Sequence, residues 1–183
     1  LEFGGQGPTE GFLVGEPCQG IKYMFQMMNE ARIECGLQGV ALANAAYQQA
    51  LAYAKDRKQG PKMTDPNGEW VEIVEHPDVR RNLMFMKVFA EGTRALAART
   101  ALWGDISHHA TDDEEREKAY LLLELATPIV KAYSTDKGFK VTELGVQVLG
   151  GYGYTKDYPM EQYLRDCKIA SIYEGTNGIQ ALD

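Results

Sequence analysis

Residues 21–58 read IKYMFQMMNEARIECGLQGVALANAAYQQALAYAKDRK and contain no proline. Ile21, Met24, Phe25 and Met28 keep the i, i+3, i+4, i+7 spacing of one helix face. Further along, Gly36, Gly39, Ala43, Ala46 and Ala50 form a face of small residues, which lets a neighbouring helix approach closely. A periodic run this long exceeds an ordinary globular helix and suits a helical bundle.

Downstream, 59–75 breaks the pattern with Gly60-Pro61, Asp65-Pro66 and Asn67-Gly68, all turn dipeptides. Residues 69–74 alternate in character and read as a short strand or extended loop. His76-Pro77-Asp78 then opens a second helix, with Pro in its first turn, expected to end near His109. Val79, Leu83, Met86, Ala90, Ala97 and Ala101 mark its expected buried stripe. Thr111 can cap a third helix whose acids at 112–115 complement the N-terminal dipole. Leu121, Leu122, Leu125 and Ala126 are its apolar content. Thr127-Pro128 reads as a boundary before a fourth helix carrying Ile129, Ala132, Tyr133, Val141, Leu144, Val148 and Leu149, stopped by Gly150-Gly151-x-Gly153. A short helix fits about Met160 to Cys167.

Upstream, 1–20 is rich in Gly and Pro around the short apolar pieces Leu1-Glu2-Phe3 and Phe12-Leu13-Val14. It reads as the end of a β-hairpin running into a linker. A hairpin alone is marginal in water, so its sheet partners are expected outside this sequence. The expected fold is mainly α, an up-and-down four-helix bundle with a short β remnant at the N-terminus. Without an initiator Met, and with a new element starting near 178, the chain is expected to be part of a longer protein.

Composition narrows the function. The 183 residues carry 19 Lys+Arg against 26 Asp+Glu, a net charge of −7. That balance disfavours nucleic acid, which needs clustered cations. No apolar run is long enough to span a bilayer, and the first residues show no secretory signal. Cys18, Cys35 and Cys167 are far apart, without a CxxC pair and without ligand spacing to His76, His108 or His109. Neither a disulfide framework nor a metal site is expected.

The chemistry concentrates in 147–180, QVLGGYGYTKDYPMEQYLRDCKIASIYEGTNGIQ. The Gly150, Gly151 and Gly153 cluster can end a helix, or bring backbone N–H groups to a phosphate. In Tyr173-Glu174-Gly175-Thr176 a carboxylate stands between an aromatic run and a glycine turn. Such a Glu is either a solvated loop residue or, in an apolar pocket, a general base with a raised pKa.

This stretch resembles the last domain of the acyl-CoA dehydrogenase family. The Leu149-Gly150-Gly151-x-Gly153 turn, Tyr158-Pro159-x-Glu161, Arg165-Asp166-x-Lys168-Ile169 and Ile172-Tyr173-Glu174-Gly175-Thr176 occur in that family's order and spacing. Met27-Met28-Asn29-Glu30-Ala31-Arg32 and Tyr53-Ala54-Lys55-Asp56-Arg57 resemble its first long helix. Within the family the chain is similar to the larger bacterial members of the 3-methylmercaptopropionyl-CoA dehydrogenase kind. Residues 1–20 then resemble the end of a middle β-domain, and 21–183 the C-terminal helical domain.

The resemblance implies an FAD enzyme that oxidises an acyl-CoA thioester to a trans-2-enoyl-CoA, with Glu174 as the α-proton base. It implies that Tyr173, Gly175, Asn29 and Arg32 contact substrate, and that Thr176 contacts the flavin. Arg57, Gln147, Gly150 and Gly151 match residues that hold FAD across a subunit interface. An electron-transfer flavoprotein as electron acceptor, a homodimer or homotetramer, and a bacterial cytoplasm or mitochondrial matrix follow from the same likeness. Some members carry the base on the first helix, at the position of Ala31 here, which cannot serve. Many members have Arg-x-x-Phe-Gly where this chain has Arg57-Lys58-Gln59-Gly60-Pro61, so that aromatic contact is absent. An acyl-CoA oxidase, an alkylation-response homologue and a non-catalytic oligomerisation bundle are the alternatives.

Overall fold

A computed structural model describes residues 2–183. Three long helices dominate: α1 (Gly20–Asp56), α2 (Pro77–His109) and α3 (Asp113–Leu149). Short helices follow: α4 (Gly151–Tyr154), α5 (Met160–Ile169) and α6 (Asn177–Gln180).

Side-chain neighbours give each rod its direction. Gly36 lies against Val130 and Gly39 against Ser134, so α1 and α3 run parallel. Gly104 approaches Leu123 while Met86 approaches Gly145, so α2 runs the other way. Cys35 bonds to Ala170, and Tyr53 meets Tyr158 edge-on, which makes α5 antiparallel to α1. The result is an up-down-up-down bundle whose fourth member is the short α5.

The core explains why the small-residue face exists. Gly36, Gly39, Ala43, Ala46, Ala50 and Ala54 are buried on α1, opposite Val130, Ser134, Gly138 and Val141 of α3. A Cβ on Gly39 would stand 2.6 Å from the Ser134 carbonyl oxygen, and one on Gly138 2.6 Å from that of Gly39. Backbones touch here, leaving no room for a side chain. At the α5 end, Met86, Ile73, Leu83, Leu149 and Met160 fill the wider space between rods.

Several expectations change. No helix boundary falls at Thr127-Pro128: α3 passes through Pro128 unbroken. Burial of Ala126, Thr127, Val130 and Lys131 around it compensates for the donor that proline lacks. The cap of α3 is Asp112, whose side chain accepts from the Glu114 N–H, and not Thr111. Thr100, not Ala101, completes the buried stripe of α2. Leu121, Leu125, Ile129 and Tyr133 are exposed, as are Ile21, Met24 and Phe25 at the start of α1. There the rods stand apart around a groove of about 610 Å³ lined by Lys22, Phe25, Asn29, Tyr120 and Glu124.

Residues 2–19 form no strand; they are exposed turns and coil, so the expected β remnant is not seen, because a hairpin edge has no sheet to pair with here. The extended segment after Gly68 pairs only once, in an antiparallel bridge between Lys58 and Glu72, and then makes a 3₁₀ turn at Ile73–Glu75. No helix is long and apolar enough to cross a membrane among the described residues, and no cluster there could hold a metal ion.

Candidate active site

α5 ends at Ile169, and the chain turns through Ser171, Ile172 and Tyr173 into the Glu174 loop. Glu174 has φ +54° and Gly175 φ +77°. Left-handed backbone is uncommon for a residue with a side chain and costs of order 1–3 kcal/mol. Gly175 is required: a Cβ there would lie 2.7 Å from Gln180 Nε2 as well as in the left-handed region.

Polar groups hold this turn in place. Lys131 Nζ donates to the Gly175 carbonyl at 2.5 Å and to Asn177 Oδ1 at 2.9 Å. Asn177 Nδ2 donates to the Ala132 carbonyl, Thr135 Oγ1 and Asp136 Oδ1. Gln180 Nε2 lies 3.3 Å from both the Glu174 and Gly175 carbonyls. Thr176 caps α6 through its hydroxyl, accepting from the Ile179 N–H. The Tyr173 hydroxyl donates to Gln38 Oε1 on α1. The Glu174 side chain stays half-buried above this scaffold. The Tyr173 N–H bonds to the Ile169 carbonyl, whereas the Glu174 N–H has no acceptor among the described residues.

Burial pulls the Lys131 ammonium below the ordinary lysine range, opposed in part by Cys35, Asp136 and Glu174. Burial pushes the Cys35 thiol up, and that of Cys167 up to about 12, so both stay protonated. Burial, then the proximity of Cys35, raises the Tyr173 phenol.

Arg32 and Asn29 sit on α1 below this loop. Arg32 is buried, with Nη1 donating to Asp183 Oδ2 at 2.6 Å. Its Nε has no partner among the described residues. Asn29 Nδ2 donates to Glu124 at 3.2 Å. Both line a pocket of about 390 Å³ with Phe25, Leu125 and Pro128.

The other expected residues gather elsewhere. Arg57 caps the C-terminus of α1 as an exposed residue, and Gly150, at φ +59°, caps α3. Arg57, Gly150 and Gly151 line a cleft of about 460 Å³ with Tyr53, Tyr152 and Asp157. Arg57 and Gln147 share an adjoining cleft of about 320 Å³ with His76 and Asp78. Gln59, whose carbonyl lies 2.7 Å from His76 Nε2, stands in both clefts. From Gln38, which holds Tyr173, to Arg57 the α1 rod rises about 28 Å. The expected site residues therefore form two separate groups.

Sequence reasoning missed Lys131, Asn177, Gln180 and Gln38. A signal for Lys131 was present: it shares its helix face with Ser134, Thr135 and Gly138, at i+3, i+4 and i+7, among residues too small for a surface.

These observations define an up-and-down helical domain that carries a glutamate turn clamped by buried polar side chains. The chain belongs to the acyl-CoA dehydrogenase family: the model of its C-terminal domain matches residues 18–183. It is 45% identical to 3-methylmercaptopropionyl-CoA dehydrogenase of Ruegeria pomeroyi, over 94% of this chain and 29% of that protein. It is 44% identical to a butyryl-CoA dehydrogenase of Syntrophomonas wolfei, over 100% of this chain and 31% of that one. The solved structure of an acyl-CoA dehydrogenase complexed with FAD from Bacillus anthracis shares the fold at TM-score 0.77 and 24% identity, over 92% of this chain and 28% of that one. The chain thus spans about 30% of the length of the curated relatives it matches.

Proposed function

We propose that the chain serves as the C-terminal domain of an FAD-dependent acyl-CoA dehydrogenase, in which Glu174 removes the α-proton of an acyl-CoA thioester that departs as the trans-2-enoyl-CoA. The observation that carries this reading is the left-handed backbone at Glu174, held by Lys131, Asn177 and Gln180. Strain of this kind persists where surrounding structure enforces it, and it aims one carboxylate at a fixed place.

The α-proton of a thioester is weakly acidic, so its removal needs a positioned base and hydrogen bonds to the developing oxyanion. The Glu174 carboxylate is the base, and the Glu174 N–H, without an intrachain acceptor, is one donor. Tyr173 and Gly175 flank the thioester. Arg32 and Asn29 face the CoA portion from α1.

The residues present fit FAD. Arg57 supplies a guanidinium for a diphosphate, and Tyr53 and Tyr152 supply aromatic walls. Gly150 and Gly151 leave the cleft open, since a Cβ on either would meet nothing within 4 Å. When bound, the flavin supplies the hydride acceptor for the β-carbon. Thr176 stands with Glu174 beside the middle of α1, about 28 Å along that rod from Arg57, and on this reading the two groups of residues serve two different flavins in a homodimer or homotetramer. Electrons then leave to an electron-transfer flavoprotein. The compartment is the bacterial cytoplasm, or the mitochondrial matrix in a eukaryote. The 183-residue chain by itself is expected to hold FAD weakly and to turn nothing over.

The test is anaerobic titration of the full-length protein with a panel of acyl-CoAs, following the flavin band, beside Glu174→Gln. Bleaching in the wild type, slowed by about 10²–10⁴-fold in the variant, is expected. A yellow wild type that no acyl-CoA bleaches would remove the dehydrogenase reading.

A further inference from the structure

We propose that Lys131 is a positioning residue for this reaction: from inside the bundle its ammonium fixes the Glu174-Gly175-Thr176 backbone, directly through the Gly175 carbonyl and indirectly through the Asn177 side chain. The inference rests on the assignment of Glu174 as the base.

Lys131 is fully buried in the middle of α3, with no exposed side-chain surface. An ammonium in such a place is costly unless its donors are satisfied. Its two hydrogen bonds both go to the 175–177 segment, so it does not tie α3 to another long rod. Asn177 extends the hold. Its Oδ1 accepts from Lys131 while its Nδ2 donates to Ala132, Thr135 and Asp136, all on α3. Both ends of that amide are engaged, which fixes its rotamer and the start of α6. Gln180 then reaches the Glu174 and Gly175 carbonyls from the far side.

Apolar packing does not do this job. Ile172 and Ile179, on either side of the turn, are each about half exposed, and Leu182 is 84% exposed. The only buried residue of α6 is Gln180. The position of the base is therefore set by donors and acceptors, and Lys131 is the one charged donor among them. A small misplacement of a reacting group slows chemistry more than it weakens substrate binding, because Asn29 and Arg32, which face the CoA portion, lie outside this turn.

The experiment uses the full-length holoenzyme with Lys131→Met, a change that keeps side-chain length and removes the charge. The readout is the anaerobic flavin-bleaching rate per bound flavin, alongside acyl-CoA affinity. The expected result is a rate lower by about 10- to 100-fold with affinity within a few-fold of the wild type. Asn177→Ala, at a half-buried position, is expected to move the rate in the same direction and decides the question if Lys131→Met fails to fold. A purely structural role would lower the melting temperature and flavin content and leave the rate per flavin unchanged; that result overturns the proposal. Glu174→Gln run in parallel separates the two claims. If it leaves bleaching intact, the base assignment falls. If it abolishes bleaching while neither other variant slows it, only the role of Lys131 falls.

Discussion

Lys131 carries its charge at a cost that depends on pH. Burial holds its folded pKa below the value of 10.5 for a free lysine. Between those two values the unfolded chain binds a proton that the folded chain does not, so stability from this group rises with pH across that window. Below the window both states are protonated and the full cost is present. Melting curves should therefore show the wild type gaining on Lys131→Met as pH rises toward 10.5. Parallel curves would mean that the ammonium is not penalised. At this scale the site was partly legible. Glu174, Tyr173 and Gly175 could be singled out as candidates because their order along the chain is distinctive. Lys131 was passed over because a lysine in a helix reads as a surface residue, and the small residues on its face are only a weak sign that the face is inward. The same blindness placed Leu125 and Ile129 in a core that Ser134 and Thr135 occupy.

Among the elements, the α1–α3 contact decides how much substitution the bundle accepts. An added Cβ at Gly39 meets Ser134 and Thr135 backbone, which can yield only if the rods separate. At Gly145 it meets the thioether of Met160 and the methyl of Met86, which can swing aside. Both substitutions gain about 1 kcal/mol of helix propensity. Gly39→Ala should nevertheless be less stable than Gly145→Ala by about 1–3 kcal/mol in urea unfolding. Equal stabilities would show that the rods can shift freely. The small face of α1 was readable because close approach demands small residues in helical register. The continuity of α3 through Pro128 was not, since proline ends helices by local rules and only tertiary burial overrides them. The β remnant fails for a similar reason: strands need partners that local sequence does not supply.

For the whole molecule, composition and period were enough to give a bundle, because rods this long can bury their faces only against each other. What they could not give was the distribution of function along it. That depends on which turns meet which helix ends, and the two groups of site residues lie about 28 Å apart along one rod. The proposed reading gives each flavin the Glu174 turn of one chain and the Arg57 cleft of its partner. Two crippled subunits should repair one another. Arg57→Ala chains would lose flavin affinity and Glu174→Gln chains would lose the base. A dimer made of one of each holds one centre with both groups intact and one with neither. Co-refolding the two inactive variants should restore turnover that neither has alone, and a mixture that stays dead would place both groups at the same flavin. On the proposed reading, the length of α1 makes catalysis a shared property of the pair, each mutated chain failing at one centre and complementing at the other.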